Sequence, residues 1–469
     1  MCTFIISNDP NRIQSIARTS EVGRRHILPP STRLGGGTPR VKEKNRTDIS
    51  VPAQMEDYFK AGGPDNTSHI KVDGIDIIHN LLALSKSLVK QPVETDRYVF
   101  IFYGEAYDYP DHYACDTDYV IDLFLNDPLW YQTIDGEYSL IVYDKHEKMF
   151  NVYTDWWGTR TVTYTMIDFH GTSIWCLCNW FTGSSEPLKP NSHYKISLNG
   201  EIEHVSSSLV KFNLDQNNDS YDEWCELFVK AVGKRRHFFD GKDNRVGLLF
   251  SGGFDSSAVA TALKLNKINA YTITDELARK VEPGNQDTRD FIAAYDNIEH
   301  IYFNGRIENM FAQFKHEGIR VCISGNGGDE LTRYNSKRIG NKNYHRWVDG
   351  PVTFPWPEMY AFTWLNSIDQ HQVRGLSYAI ECRYPFSDKH CFQAFINISP
   401  NLKNKYPKGP IHHFLLSTGV PIPRDHVGFN VYHHYRSGSQ SNRDFIDAMP
   451  EKKKIRVSLS QIHRSGVRK

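Results

Sequence analysis

The 469-residue sequence contains no stretch approaching the ~18 consecutive apolar residues needed to cross a bilayer, so no helical membrane span is expected. It lacks net charge as well: 55 Lys and Arg balance 55 Asp and Glu, and the pI is 7.3. A basic field over the whole surface is thereby excluded, and neither nucleic acid nor an anionic membrane is expected as a partner. Cysteine is sparse, with 8 residues and no regular spacing, which reads as reduced thiols in a cytoplasmic protein rather than a disulfide framework. The opening Met-Cys-Thr-Phe-Ile-Ile-Ser-Asn has no basic region and too short an apolar run for a secretory signal. What the chain does have is core-forming material. With 39% hydrophobic and 13% aromatic residues it is too apolar to stay disordered, and its length suits two or three domains.

Two textures divide it. Tyr98–Tyr103 is dense in β-branched and aromatic residues, and the similar runs Tyr138–Tyr143 and Met149–Thr154 flank a polar turn, which is a hairpin pattern. Asn199-Gly200 between two alternating runs marks another hairpin. A polar stretch from Asp215 to Ser220 follows, and the texture then changes. Helix-like segments (Tyr221–Arg235, Ser256–Leu265, Arg289–Tyr295) alternate with short apolar strands (Val246–Phe250, Ala270–Thr274, Val321–Ser324). Such alternation predicts a parallel sheet covered by helices. The boundary is expected near residues 205–220, giving one domain over 1–210 and another over 218–469. Ser20–Asp48, rich in Arg, Pro and Gly, reads as a long exposed loop, and the basic segment Lys452–Lys469 as a solvated tail.

The strongest chemical signal is Ser251-Gly252-Gly253-Phe254-Asp255-Ser256-Ser257, directly after a strand and directly before a helix. Glycines at that joint let backbone N–H groups form an anion nest, and the helix N-terminus adds positive potential. The hydroxyls of Ser251, Ser256 and Ser257 can add hydrogen bonds, and Asp255 can hold the Mg²⁺ that accompanies a polyphosphate. The string lacks the Lys of a Walker loop. A second glycine-rich turn, Ser324-Gly325-Asn326-Gly327-Gly328-Asp329-Glu330, follows another apolar strand. Beyond it come Glu381-Cys-Arg-Tyr-Pro-Phe-Ser-Asp388, Lys408 and Arg424-Asp-His-Val-Gly-Phe429.

In this order the strings resemble the synthetase domain of the glutamine-hydrolysing asparagine synthetase family, an ATP-pyrophosphatase domain. The family's strings read SGxGxDE, ExRxPFLD, a catalytic Lys and RxKxGF. The resemblance implies ATP binding by Ser251, Gly252, Gly253, Asp255, Ser256, Ser257 and Gly325. It further implies Mg²⁺ on Asp255 and Asp329, and Lys408 stabilising negative charge on the α-phosphate and the acyl-adenylate. The N-terminal half is similar to a class II glutamine amidotransferase domain. Met1-Cys2 would leave a free α-amine beside a thiol nucleophile once Met1 is removed. Gly63-Pro64-Asp65, His79-Asn80-Leu81-Leu82, Gly104-Glu105-Ala106-Tyr107, Asp116-Thr-Asp118, Asp135-Gly136-Glu137 and Asp155-Trp-Trp-Gly158 then follow the family's order. By that match Cys2 attacks the glutamine amide, the Gly104 N–H helps bind the oxyanion, and Asp116 holds the substrate α-amine.

The fold implied is α/β: an N-terminal Ntn-type α/β/β/α sandwich and a C-terminal Rossmann-like parallel sheet. The implied function is amidation of a small-molecule carboxylate, with glutamine as donor and aspartate as the default acceptor. Oligomeric state is left open, a homo-oligomer included. Three departures surround the donor pocket. The family's oxyanion Asn is Tyr103, whose hydroxyl would have to donate instead; its carboxylate-binding Arg is Leu81, and the Arg of RGPD is Gly62. Either arginines from the insertion (Arg24, Arg25, Arg33, Arg40, Arg46) replace the losses, or the glutaminase is weak or lost. In the second half Asn326 stands for a Glu and His426 for a Lys, so the acceptor need not be aspartate. The alternatives are an adenylating ligase or cyclase like the β-lactam synthetases and lasso-peptide cyclases, and a non-enzymatic binding protein. Cys176 and Cys178, the paired histidines (His412-His413, His433-His434) and Trp156-Trp157 read as core or surface residues rather than metal ligands.

Overall fold

A computed structural model of the chain describes residues 3–9, 60–85, 87–169, 171–179, 185–239, 242–250, 253–275, 297–303, 307–332, 347–356, 359–360, 371–405 and 408–419. Cys2, Ser251, Gly252, the Ser20–Asp48 loop, Arg289–Tyr295, His426, the His433-His434 pair and the basic tail lie outside the described residues. No helix among the described residues is long and apolar enough to cross a membrane.

The first half is built from hairpins. β1 (Thr3–Ser7), β2 (Asn66–Val72), β3 (Ile75–Leu81), β8 (Thr163–Phe169), β9 (Thr172–Cys178) and β10 (Glu186–Pro187) form one antiparallel sheet in the order β10-β8-β9-β1-β3-β2. β4 (Val93–Glu94), β5 (Tyr98–Ala106), β6 (Gly136–Asp144), β7 (Met149–Thr154), β11 (His193–Ser197) and β12 (Ile202–Ser206) form the second, in the order β12-β11-β7-β6-β5-β4. The sheets face each other through one shared core: Phe4, Ile6 and Ile77 from the first meet Ile101, Ile141 and Val152 from the second. β6 is buried along nearly its whole length because both its faces are covered, which is why its apolar run is continuous and not alternating. Its outer face is covered by α1 (Asp116–Asn126), whose Val120 and Phe124 pack on Phe100, Trp130 and Tyr138. This is the stacked two-sheet arrangement expected of the Ntn-type half, with one helical layer among the described residues. Both expected hairpins are present: β6 pairs with β7, and β11 with β12 around Gly200, whose φ is +85°. Cys176, Cys178, Trp156 and Trp157 are buried core residues, as their positions suggested.

In the second half α2 (Asp222–Lys234) precedes a five-stranded parallel sheet of β15 (Val246–Leu249), β16 (Ala270–Asp275), β17 (Ile298–Phe303), β18 (Val321–Ser324) and β19 (Glu381–Arg383). Numbers 13 and 14 belong to a short hairpin, His237–Phe239 with Lys242–Asn244. The strand order is β17-β16-β15-β18-β19. From β15 the chain steps outward through β16 and β17, then returns to pair β18 on the other side of β15. That reversal creates a crevice above the C-terminal ends of β15 and β18, the place where open α/β sheets bind ligands. α3 (Phe254–Leu265) starts at this crevice immediately after β15.

The halves are joined by buried ions rather than by apolar contact alone. Arg160 donates to the Cys382 carbonyl at 2.8 Å and pairs with Glu137 and Glu381. Arg235 pairs with Glu137 at 2.7 Å and Asp388 at 3.2 Å, and Arg383 with Glu105 at 2.8 Å. Buried ions survive only when their partners are complete.

Candidate active site at the strand crossover

Three of the residues singled out in the sequence converge at the crevice. Lys408, in the turn that opens the helix Gly409–Ser417, places its ammonium 2.5 Å from Asp255 Oδ2 and against Asp329 Oδ1. Asp255 is in the first turn of α3 and Asp329 on the short helix after β18, so the ion triad ties both sides of the crossover together. Lys408 has φ +54°, a left-handed conformation that costs a side-chain-bearing residue about 1 kcal/mol and that the two carboxylates help to hold. Burial pushes the Asp255 carboxyl up to about 6, with Asp329 acting in the same direction and Lys408 opposing. The Lys408 ammonium is held well above its ordinary value by Asp255 and Asp329, which outweigh its burial.

Close approach of the two loops depends on glycine. A Cβ on Gly325 would stand 2.9 Å from the Asp255 carbonyl carbon and the Ser256 nitrogen, and one on Gly328 would overlap the Asp255 carboxylate. Asp255 Oδ1 and Ser257 Oγ are buried with no hydrogen-bond partner among the described residues. The donor set of hard carboxylate and hydroxyl oxygens, with one carboxylate oxygen left over, fits Mg²⁺, which commonly takes one or two carboxylates and completes its shell with phosphate and water. Among the described residues no group of three or more His, Cys, Asp or Glu forms a self-sufficient metal cage.

Sequence reasoning missed His371. Its Nδ1 lies 3.0 Å from both Ser324 Oγ and Asn326 Nδ2, and burial pulls the ring's pKa down to about 3. The ring is neutral and fixes the loop residue that stands where the resemblance expects a Glu. It sits 45 positions from Asn326 with no motif around it. Glu330, part of the turn but not given a role, is pushed up to about 7 by burial and by Asp329.

Of the residues expected at a donor site, Gly104, Asp116, Tyr103, Leu81 and Gly62 are among the described residues. Gly104 has φ +148°, and a Cβ there would collide with the Glu137 carbonyl of the neighbouring strand, so only glycine fits. Asp116 is buried and accepts hydrogen bonds from the Ala106 N–H at 3.2 Å and the Thr117 N–H at 2.8 Å. Its burial raises the carboxyl to about 6. Tyr103 is buried in the inter-sheet core, its ring edge-on to Phe4 at 5.7 Å. Leu81, Gly104 and Asp116 line a common pocket of about 30 Å³. That is far below the roughly 300 Å³ at which small-molecule sites begin. Gly62 lies against Thr3 and Leu376.

One sequence relative agrees with the motifs. The chain is 22% identical over 316 residues to the "Putative asparagine synthetase (glutamine-hydrolyzing) 1" of Methanocaldococcus jannaschii. The chain resembles asparagine synthetases. The alignment takes in 55% of this chain, which spans 58% of the length of that relative. No family model matches. Among solved structures, a glutamine aminotransferase class-II domain protein of Silicibacter pomeroyi aligns with 28% of this chain and 74% of its own, at TM-score 0.22 and 13% identity. The allosteric regulatory enzyme of purine biosynthesis aligns with 73% and 79% at TM-score 0.27 and 10% identity.

Proposed function

We propose that the chain is an ATP-dependent, glutamine-using amidotransferase. It adenylates a substrate carboxylate and converts it to an amide, releasing AMP and pyrophosphate, with aspartate as the default acceptor. Residues 1–210 supply the amidotransferase-like half and residues 218–469 the synthetase half, acting in the cytoplasm. The observation that carries the reading is the Asp255–Lys408–Asp329 triad at the strand crossover, beside an orphaned buried carboxylate oxygen. ATP with Mg²⁺, when bound, supplies the activated phosphate and the charge that stabilises it.

In this reading the N–H groups around Gly253 and the start of α3 bind phosphate oxygens, and Ser256 and Ser257 orient them. Asp255 and Asp329 hold the metal. Lys408 leaves one carboxylate and turns to the negative charge that builds on the α-phosphate, which a buried ammonium stabilises better than a solvated one. The absence of a carboxylate at Asn326 removes a negative group from the acceptor side. Cys2 would release ammonia from glutamine, with Gly104 and Tyr103 at the oxyanion and Asp116 on the α-amine.

One observation favours the second reading, an acyl-adenylate-forming ligase or cyclase with a degenerate glutaminase. The pocket at Leu81 and Asp116 is small, and no cation lines it among the described residues. Two measurements separate them. Pyrophosphate release with ATP, Mg²⁺ and a panel of carboxylic acids should disappear in Asp255→Asn; retained release removes Asp255 from its role. Glutamate release that disappears in Cys2→Ala supports the first reading, and transfer of nitrogen only from ammonia or a substrate amine supports the second.

A further inference from the structure

The turn Asp155–Arg160, between β7 and β8, belongs to the first half but directs its contacts to the second. Its shape is fixed by the Asp155 carboxylate. Oδ1 accepts from the Trp157 N–H at 2.9 Å and the Gly158 N–H at 2.8 Å, and Oδ2 from the Thr159 N–H at 3.0 Å. From this turn the Trp156 indole donates to the Ser387 carbonyl at 2.9 Å, and Arg160 donates to the Cys382 carbonyl. Trp157 reaches the proposed nucleotide site itself. A Cβ on Gly327 would stand 2.8 Å from Trp157 Cη2, at the far end of the indole. Gly327 has φ +95° and caps the short helix that carries Asp329, so the ring lies against the middle of the Ser324–Glu330 turn.

A second route joins the same two turns. The Thr159 carbonyl accepts from Gln372 Nε2, and the neighbouring His371 holds Ser324 Oγ and Asn326 Nδ2 at 3.0 Å each. Packing alone does not call for an indole at position 157. The ring is 1% exposed and its Nε1 has no hydrogen-bond partner among the described residues, a cost that phenylalanine would avoid. Phenylalanine would, however, end short of the atom that meets Gly327. At its other end the turn is anchored beside the expected donor site: the Tyr138 N–H donates to Asp155 Oδ2 at 3.1 Å, and Tyr138 pairs with Gly104 across β6 and β5.

We infer that Trp157 is a positioning residue for the synthetase chemistry: through this indole the first half sets the turn that carries Asn326 and Asp329. The catalytic consequence rests on the proposed function, and the structural one on the contact alone. The first half thereby has a task in the synthetase reaction that needs no glutamine hydrolysis. Asp155-Trp-Trp-Gly158 serves that task whether or not Cys2 is active.

The test uses the full chain. Hydrogen–deuterium exchange read by mass spectrometry follows the segment 324–331, where the Asn326 N–H donates to Ser324 Oγ at 3.2 Å and the Leu331 N–H to the Gly327 carbonyl at 2.9 Å. Trp157→Phe should speed exchange there about tenfold and leave the buried strand β6 unchanged. Trp175→Phe, which truncates an equally buried indole in the core of the first half, controls for general loss of stability and should not single out the turn. Gly327→Ala should also speed exchange, and its effect should shrink in Trp157→Phe, where the atom it collides with is gone. With ATP and a carboxylic acid, Trp157→Phe should lower kcat for pyrophosphate release about tenfold and raise the Mg²⁺ requirement, because Asp329 moves with the turn. Circular dichroism confirms that the variants are folded. Unchanged exchange over 324–331 in Trp157→Phe overturns the inference, and so does an equal rise in Trp175→Phe. Faster exchange that leaves kcat and the Mg²⁺ requirement at parental values overturns the positioning role. A parent that releases no pyrophosphate with any acid tells against the proposed function instead, and the exchange measurements then decide the structural claim by themselves.

Discussion

Replacing Lys408 with Ala tests the centre of the proposed site. The lysine side chain is 8% exposed and bridges two carboxylates, Asp255 at 21% and Asp329 at 34% exposure. Removing one partner of a fully buried pair costs about 3–5 kcal/mol, because the other charge is left without compensation. Here water reaches both acids, Asp329 most, so that figure must be discounted toward surface values. Loss of the packed alkyl stem adds a little back. The net expectation is about 2 kcal/mol, read as a shift in the urea midpoint at unchanged slope. If the two acids are where a divalent cation sits, Mg²⁺ should take the place of the missing ammonium. At tenfold excess over its Kd it would restore about 1.4 kcal/mol to Lys408→Ala. The parent, in which Lys408 already occupies the gap, should gain less from Mg²⁺ alone. Pyrophosphate release should fall in the variant even when stability is restored. A Lys408→Ala protein as stable as the parent, or one whose midpoint ignores Mg²⁺, would refute the reasoning.

Other expectations test the frame around the site. Arg235→Met should cost about 3 kcal/mol in urea unfolding, since it strips Glu137 and Asp388 of one partner each and removes the guanidinium stacked 4.6 Å over Tyr107; a loss under about 1 kcal/mol would mean the joint is solvated. His79 is fully buried, neither ring nitrogen has a partner among the described residues, and burial lowers its pKa from 6.5 to about 3. A folded pKa below the unfolded one gives stability that is present above pH 6.5 and lost as pH falls toward 3, about 2 kcal/mol between pH 7 and pH 5. Glu105 and Asp116 act in the opposite sense, because their raised values favour the folded chain at low pH. The comparison is therefore His79→Leu against the parent, and parallel pH profiles for the two would exclude the histidine. Gly328→Ala should abolish pyrophosphate release and cost about 1–3 kcal/mol by overpacking against Asp255; full activity would mean the two loops need not touch.

Legibility in the sequence followed the range of the interaction involved. The hairpins β6–β7 and β11–β12 were visible because side-chain alternation and an Asn-Gly turn are written within a dozen residues. The strands β15, β16 and β18 were visible as apolar runs between helical segments. β17 and β19 were not identified as strands. β19 is three residues long and its sequence, Glu-Cys-Arg, is charged because its side chains enter the ion network and not an apolar layer. The strings Ser251–Ser257 and Ser324–Glu330 marked the crossover, but strand order alone brings them together. Lys408, with little local pattern around it, is the residue whose placement gained most from the fold. His371 left no trace because its partner lies 45 residues away and the contact is a single hydrogen-bonded nitrogen.

The motifs match best on the proposed nucleotide side and least on the proposed donor side, where the ion network joins the halves. Phosphate-binding loops are set by backbone geometry, so the glycines at 253, 325 and 328 constrain the chain whatever the substrate. The proposed donor pocket would be defined by side chains, and Leu81, where the resemblance expects an Arg, removes a carboxylate anchor without disturbing β3. Glu105 belongs to both worlds: it follows the glycine at 104, and it is the partner of Arg383 from the second half at 2.8 Å. A carboxylate so committed resists replacement even if glutamine is not the ligand, because removing it would leave the buried Arg383 guanidinium with Glu381 and the Arg235 and Arg236 carbonyls but one negative charge fewer. Retention of Gly104-Glu105 is therefore evidence for the joint between the halves before it is evidence for glutaminase. Glu105→Gln separates the two. It keeps the shape of the side chain and a hydrogen-bond acceptor for Arg383 while removing the charge. If the residue serves mainly the joint, the urea midpoint falls and any glutamate release declines only in step with it. If it serves a donor amino acid, the KM for glutamine rises in a protein that remains as stable as the parent.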